Sequence, residues 1–232
     1  RRVRGEAGIR ALVFDFDSLS LNAEAAEQQA WRETYLAHGT RLPDEDWLEN
    51  ESPSEPEPDL CRRLERQLGG RVNQERILGD IAQRKAALLA SETPPSGMIG
   101  FIERAAEIGL QLGIASDGQR QAVSAWLTRL DLGKHFSAVR CAPELSDTQA
   151  GPHIYFSLCE AMNVTPTESI AIQSSPGGLQ SAKGAGLYCI SVPNRVTGSV
   201  SMDRADLVLL SLESTTPDEV VERARLKRTS TS

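Results

Sequence analysis

The chain has 232 residues, of which 40% are hydrophobic and 25% are charged, a composition typical of a folded globular protein. Its formal net charge of −7 disfavours nucleic acid and anionic membranes as partners. No apolar run approaches the ~20 residues that span a bilayer. The four cysteines are isolated and only three histidines are present, so a zinc site is not expected. We expect a cytoplasmic protein, although the basic start RRVRGEAGIR leaves a cleaved targeting segment as an alternative.

The first predicted element is a short buried strand that runs into two aspartates. Residues 11–14 are all apolar, and Asp15 and Asp17 follow them. On a strand, residues two apart point to the same side, so both carboxylates are expected to lie together where the strand leaves the sheet. Two like charges in contact raise each other's pKa or bind a cation between them. The pair therefore indicates either a capped turn or an acid pair for metal-assisted or covalent chemistry.

Residues 22–93 follow a helical pattern instead. In AEAAEQQAWRETYLAHG, apolar side chains recur on one helical face. An acidic, proline-rich loop then precedes two further helical segments, DLCRRLERQLGG and NQERILGDIAQRKAALLA. We predict that this region is a helical cap domain, inserted after the first strand of an α/β core that comprises residues 1–21 and 94–232.

From residue 97 onward, predicted strands and helices alternate. The strands are LQLGIAS, HFSAVRCA, SIAIQ, LYCISVP and DLVLLSL, and helical segments separate most of them. This alternation is typical of an α/β fold, with a doubly wound parallel sheet flanked by helices. In such sheets, ligands bind beyond the carboxyl ends of the strands.

Two further strand ends carry polar residues that suit a phosphate. The strand in GIASDGQ ends at Ser116 and Asp117, and the strand in IQSSPGG ends near Ser174, each before a predicted helix. Free N–H groups and the helix dipole favour an anion at a helix start. Helix capping is the alternative interpretation of each motif taken alone.

Taken together, the motifs resemble the haloacid dehalogenase superfamily of aspartyl-nucleophile phosphatases and phosphomutases. The β-phosphoglucomutase-like branch, which has a helical cap after the first strand, is the most similar part of that superfamily. The segments that carry the resemblance span nearly the whole chain: FDFDSLSLNAE, PSGMIGFIERAAEIGLQLGIAS, GPHIYFSLCEAMNV and SPGGLQSAKGAGLYCISVPN.

The resemblance implies a role for each strand-end residue. Asp15 would attack phosphorus, and Asp17 would protonate the leaving oxygen and then activate water. Mg²⁺ would bind Asp15, the carbonyl of Asp17 and the residue at the Ser174 position. Ser116 and Asp117 would lie at the phosphoryl-binding end of the second motif.

The chain departs from the family pattern at its charged positions. Gln149 occupies the phosphate-binding position where the family has a lysine, while Gln173 and Ser174 replace two acids. Residues 141–182 contain no Lys or Arg, and the acidic segment ENESPSEPEPD of the predicted cap would repel a phosphate. One lost preorganised donor or charge costs about 10²–10³ in rate, and phosphoryl transfer depends almost entirely on such stabilisation. We therefore expect phosphatase activity that is weak or absent. Mg²⁺ should also bind weakly, because Asp15 is the only certain carboxylate ligand.

Three functions fit these residues. The first is a protein with the family fold and weak or no phosphatase activity, which binds a small phosphorylated metabolite or an unknown protein partner. The second is an active Mg²⁺-dependent phosphatase or phosphomutase acting on a small phosphorylated metabolite such as a sugar phosphate. The third is a metal-independent haloacid-dehalogenase-like hydrolase, because Ser174 and Ser175 match a serine pair found in those relatives.

Overall fold

The structure is a computed structural model, which describes residues 8–19, 23–44, 60–90, 94–145, 151–192 and 204–229. The chain divides into two compact units, Arg1–Leu21 with Thr93–Ser232, and Asn22–Glu92. Every helix within the described ranges is too short or too polar to cross a membrane.

The larger unit is built on a parallel sheet. Its strands are β1 (Ala11–Asp15), β2 (Gln111–Ser116), β3 (Ala138–Cys141), β4 (Ser169–Gln173), β5 (Tyr188–Ser191) and β6 (Leu207–Val208). Within the described residues they form one six-stranded sheet in the order β3-β2-β1-β4-β5-β6, and every neighbouring pair is parallel. This arrangement confirms the predicted α/β fold. The strand order reverses between β1 and β4, which is where open sheets of this kind bind ligands.

Helices flank this sheet. In the larger unit they are α1 (Phe16–Leu19), α5 (Met98–Glu107), α6 (Arg120–Arg129), α7 (Pro152–Ala161), α8 (Pro176–Gly184) and α9 (Pro217–Thr229). The smaller unit contains α2 (Ala23–Ala37), α3 (Leu60–Leu68) and α4 (Gln74–Ala90).

Strand β1 lies at the centre of the sheet because it is apolar along its length and has a partner on each side. Residues 11–14 are fully buried, and Phe14 packs edge-on against two further phenylalanine rings. The register pairs Asp15 with Ala115 and Phe14 with Ile172. Asp15 therefore lies level with the ends of both neighbouring strands.

Helices α7 and α8 cover one face of the sheet. Their side chains Leu158 and Leu179 pack in one cluster with Val13 and Ala171 of the strands. Since residues two apart on a strand point to the same side, Asp15 shares this face with Val13. Asp15, the first predicted site residue, thus lies on the face that α7 and α8 bury.

The smaller unit has its own apolar core, formed by α2, α3 and α4. Trp31, Tyr35, Leu64 and Ile77 are buried in one cluster. The hydroxyl of Tyr35 donates to the carbonyl of Leu60 at 2.7 Å, which satisfies the polar end of a buried ring. That this unit serves as a cap stays a prediction.

The structure corrects the placement of Asp17. Strand β1 ends at Asp15 and the chain turns directly into α1, so Asp17 lies on a helical turn rather than on the strand. The hydroxyl of Ser18 holds this turn, because it donates to the carbonyls of Asp15 at 2.6 Å and Ile172 at 3.3 Å. The alternation argument that placed Asp17 beside Asp15 on one strand is therefore wrong.

The last predicted strand is also shorter than expected. Only Leu207–Val208 of the segment DLVLLSL pair with the sheet, at its edge. The hydroxyl oxygen of Ser211 accepts the N–H of Glu213 and starts a 3₁₀ turn. This local hydrogen bond competes with extension of the strand.

Candidate active site

A cavity of about 310 Å³ lies at the carboxyl edge of the sheet. Asp15 lines it from the end of β1, and Ser116 and Asp117 line it from the end of β2. Helix α7 contributes Tyr155, and Ser175 lies at the start of α8. The volume is at the low end of the roughly 300–1,000 Å³ typical of small-molecule pockets. The position and size of the cavity indicate a site for a small ligand.

Asp15 has a neutral neighbour where the family resemblance places a second acid. The hydroxyl of Ser174 lies 3.5 Å from Oδ2 of Asp15, at the outer limit of a hydrogen bond. Ser174 is buried, whereas Asp15 is half-buried and reaches the cavity. The pair therefore brings one negative charge to this point rather than two.

Ser116 is buried at the end of β2, and its hydroxyl oxygen accepts the N–H of Gly118 at 3.1 Å. This contact closes a local turn rather than capping α6, which starts at Arg120 and has Gln119 as its N-cap. It uses the oxygen as acceptor, so the hydroxyl proton can still be donated to a ligand in the cavity. Asp117, which is exposed, lies beside it in the lining.

Gln173, behind the cavity lining, forms a buried pair with Tyr155, which lines the cavity. The side-chain amide of Gln173 donates to the hydroxyl oxygen of Tyr155 at 2.9 Å. Burial raises the pKa of the Tyr155 phenol well above its usual value, and the carboxylates of Asp15 and Asp117 raise it further, because they repel a phenolate. The phenol therefore remains protonated throughout the neutral pH range.

The start of α8 turns backbone N–H groups toward the same region. The hydroxyl oxygen of Ser175 accepts the N–H of Gly178 at 3.1 Å and so caps the helix. Gly177 and Gly178 both line the cavity. Pro176 has no N–H and the N–H of Gly178 is taken by Ser175, which leaves the N–H of Gly177 in the first turn of α8 for an anion.

The structure brings together several of the predicted site residues. The cavity lining includes Asp15, Ser116 and Asp117. Ser174 contacts Asp15 from the end of β4. Gln149 lies outside the described residues, as does the side chain of Asp17. The catalytic, phosphate-binding and metal-binding roles assigned to these residues stay predictions.

Sequence reasoning missed the contribution of α7. Tyr155 belongs to a segment that was assigned to the family pattern without a role of its own. Gly151, Ile154 and Tyr155 all line the cavity, and their spacing places them on one side of a helix that starts at Pro152. That spacing was the signal in the sequence, but a cavity wall could be inferred from it only once the position of α7 was known.

The described side chains fit a dedicated Mg²⁺ site poorly. Within the described ranges, no group of three or more His, Cys, Asp or Glu side chains could hold a metal ion. Mg²⁺ prefers carboxylate oxygens in octahedral geometry, but the neighbour of Asp15 is the neutral hydroxyl of Ser174. Gln173, just before it, is also neutral and fully buried. The chemistry proposed for this site accordingly does not depend on a bound metal.

The parallel sheet, the aspartate that ends its central strand and the cavity at its carboxyl edge define an α/β protein with a candidate ligand site at the strand ends. The chain belongs to the haloacid dehalogenase-like hydrolase family, whose sequence model matches residues 12–192. Phosphatases of this family generally use Mg²⁺. The match confirms the predicted family.

Similar proteins include phosphatases and phosphomutases. The chain is 30% identical over 207 residues to "Putative phosphatase YhcW" of Bacillus subtilis (strain 168), a match that covers 88% of this chain and 92% of that protein. The crystal structure of CbbY from Rhodobacter sphaeroides in complex with phosphate has a TM-score of 0.74 at 25% identity, over 88% of this chain and 95% of that one. The β-phosphoglucomutase (pgmB) of Clostridium difficile shares the fold, with a TM-score of 0.74 at 18% identity over 95% of this chain and 99% of that one.

Proposed function

We propose that this chain binds small phosphorylated metabolites in the Asp15 cavity and hydrolyses them weakly or not at all. The observation that carries the proposal is the neutral Ser174 hydroxyl 3.5 Å from Oδ2 of Asp15, where the family resemblance places a metal-binding acid. The buried amide of Gln173 replaces a second acid in the same way. A cavity of about 310 Å³ suits a sugar phosphate better than a large ligand.

The groups that remain support binding more than turnover. The hydroxyl of Ser116 and the N–H of Gly177 at the start of α8 can donate to phosphoryl oxygens. The carboxylate of Asp15 lines the cavity and would be the nucleophile. However, the described lining contains no Lys, Arg or His to offset the charge that develops on the transferred group. Phosphoryl transfer depends on that stabilisation almost entirely.

A second candidate is an active Mg²⁺-dependent phosphatase or phosphomutase. The names of the relatives favour it, because YhcW is named as a phosphatase and CbbY was crystallised with phosphate. In that case Asp15 would be the nucleophile and Asp17 the acid and base. Gln149 would lie at the phosphate, and the smaller unit would act as the cap.

The two candidate functions differ in how fast a bound phosphate ester is hydrolysed. The test measures phosphate release from a panel of sugar phosphates with Mg²⁺ and with a chelator, alongside calorimetric binding of the same compounds. We expect binding that the chelator leaves intact and release far below the 1–10³ s⁻¹ of ordinary enzymes, a rough range. Release at ordinary rates with Mg²⁺ would favour the second candidate. Chloride release from a 2-haloacid would favour a dehalogenase instead.

A matched pair of variants tests whether the phosphorylated ligand binds in this cavity. Ser116→Ala removes a lining hydroxyl, whereas Ser214→Ala removes an exposed one from a 3₁₀ turn that does not line the cavity. Only the first should weaken binding. Equal binding by both variants would place the phosphate elsewhere.

A further inference from the structure

The hydrogen bond between Gln173 and Tyr155 has a direction. The amide nitrogen Nε2 of Gln173 lies 2.9 Å from the hydroxyl oxygen of Tyr155. An amide NH₂ group can only donate, so the phenol oxygen is the acceptor. The proton of Tyr155 must then point to a different partner.

The surroundings of Gln173 fix which end of its amide faces Tyr155. Its oxygen Oε1 is buried with no hydrogen-bond partner among the described residues, and it lies against the backbone of Gly178, where a Cβ would be only 2.2 Å away. A carbonyl oxygen tolerates this position, because it accepts a weak contact from a Cα–H group. The flipped amide would leave buried N–H donors against the same carbon, which is the rarer and costlier arrangement. The packing of α8 therefore holds the amide in its donating orientation.

Tyr155 lines the cavity together with Asp15 and Asp117. Their carboxylates raise the pKa of the phenol, because they repel a phenolate. The oxygen is held by Gln173 on one side, which leaves the cavity side for the proton.

We propose that the hydroxyl of Tyr155, oriented by Gln173, donates a hydrogen bond to a phosphoryl oxygen of the bound ligand. This inference rests on the proposed function, and it names a ligand-contacting residue and a positioning residue for it. An anionic ligand in a lining without described Lys, Arg or His depends on neutral donors. Tyr155 supplies one that keeps its proton.

The acid that the family carries at the position of Gln173 would work in the opposite sense. A carboxylate only accepts, so Tyr155 would donate to it and turn its proton away from the cavity. The amide of Gln173 and the donor role of Tyr155 therefore belong together. Without the amide, Tyr155 would not be oriented to donate to the ligand, and without Tyr155 the amide would have no effect on the ligand.

The binding test uses inorganic phosphate and four variants. Tyr155→Phe removes the donor, Gln173→Met removes the amide at similar volume, and a third variant combines both. Tyr188→Phe makes the same change as the first on β5, outside the cavity lining. We expect Tyr155→Phe to bind phosphate about tenfold more weakly, the usual loss for a hydrogen bond to a charged group. Gln173→Met should weaken binding in the parent but not in the Tyr155→Phe background, and Tyr188→Phe should bind normally.

Each other result overturns a defined part of the proposal. Unchanged binding by Tyr155→Phe overturns the donor role and leaves the proposed function standing. A parent protein that binds neither phosphate nor a sugar phosphate overturns both. Equal losses from Gln173→Met in the two backgrounds show that Gln173 acts without Tyr155. Circular dichroism establishes that the variants are folded.

A spectroscopic test gives its deciding result in the parent protein, so it does not depend on whether the variants fold. The ultraviolet resonance Raman doublet of tyrosine reports whether a phenol donates or accepts a hydrogen bond. Phosphate should shift this doublet in the parent protein, because the hydroxyl of Tyr155 then donates to a phosphate oxygen. The same shift should occur in Tyr188→Phe. The shift should be absent in Tyr155→Phe. A doublet that does not respond to saturating phosphate overturns the proposal even if the variants fail to fold.

Discussion

The ends of β1 and β2 and the end of β4 contribute different chemistry around one cavity. The first two strands bring charge into its lining, in the carboxylates of Asp15 and Asp117. The end of β4 brings neutral groups that contact lining residues: the hydroxyl of Ser174 lies against Asp15, and the amide of Gln173 lies against Tyr155. We call these the charged side and the neutral side. The aspartate that the family resemblance makes the nucleophile therefore lies beside neutral groups, and the two sides can be tested separately.

This difference sets the energetics of an anionic ligand. Two unit charges 4 Å apart interact by about 4 kcal/mol at the effective dielectric near a protein surface, so the charged side opposes a phosphate. Each hydrogen bond to a charged group contributes about 1.5–3 kcal/mol. Several donors, among them Ser116 and the start of α8, can thus offset the repulsion and allow modest binding. They do not supply the cation that phosphoryl transfer needs.

The largest expected effect comes from rebuilding the neutral side. The triple variant Gln149→Lys, Gln173→Glu and Ser174→Asp introduces a cation for the phosphoryl oxygens and two acids for a metal site. We expect Mg²⁺-dependent hydrolysis of a generic phosphomonoester to rise by at least ~10²-fold, the lower cost of one lost electrostatic group. Phosphate release with and without Mg²⁺ measures the gain.

The charged side provides the control for this gain. Adding Asp15→Asn to the triple variant should abolish it, because an amide is a far weaker nucleophile and no anionic ligand. A folded triple variant that stays inactive would show that the defect is not on the neutral side. The acidic segment from Glu49 to Asp59, which lies outside the described residues, would then be the next candidate.

The sequence predicted the charged side better than the neutral side. Asp15 and Ser116 could be placed because each ends an apolar run, and the carboxyl ends of parallel strands meet at one edge. The strand alternation also predicted the sheet, but not that Asp17 would lie on a helical turn. That turn depends on Ser18 reaching the carbonyl of Ile172, far away in the chain. The pairing of Gln173 with Tyr155 likewise joins residues from β4 and α7, and no local pattern encodes it.

A glycine pair tests how tightly the neutral side is packed. Gly178→Ala would place a methyl carbon 2.2 Å from the buried oxygen of Gln173, whereas Gly177→Ala meets nothing within 4 Å. Moving the amide away would break its bond to Tyr155. We expect Gly178→Ala to lower the free energy of unfolding by about 1–3 kcal/mol, the usual cost of overpacking, as measured by denaturant unfolding. Gly177→Ala should cost nothing measurable, and Gln173→Ala should remove most of the penalty of Gly178→Ala.

A single substitution on the charged side separates metal-free binding from metal-dependent binding. If no metal offsets the carboxylate of Asp15, then Asp15→Asn removes a repulsive charge and should tighten phosphate binding by about tenfold, roughly 1.4 kcal/mol. If Mg²⁺ bridges Asp15 and phosphate, the same change should weaken binding. Calorimetric titration with phosphate, once with Mg²⁺ and once with a chelator, shows whether the substitution raises or lowers the affinity. Asp131→Asn, an exposed change outside the cavity lining, should leave the affinity unchanged.

The smallest expected effect lies next to the neutral side, on β5. Ser191 pairs in register with Gln173, and its hydroxyl oxygen is fully buried with no hydrogen-bond partner in the part of the chain that the structure describes. An unsatisfied buried hydroxyl is costly, so Ser191→Ala should raise the free energy of unfolding by about 1 kcal/mol. Ser169→Ala, at the other end of β4, is the contrasting change, because its hydroxyl donates to the carbonyl of Thr165 at 2.9 Å and its loss should destabilise. Loss of stability in both variants would show that Ser191 and the oxygen of Gln173 share a bound water, and the neutral side would then be a solvated network rather than a dry one.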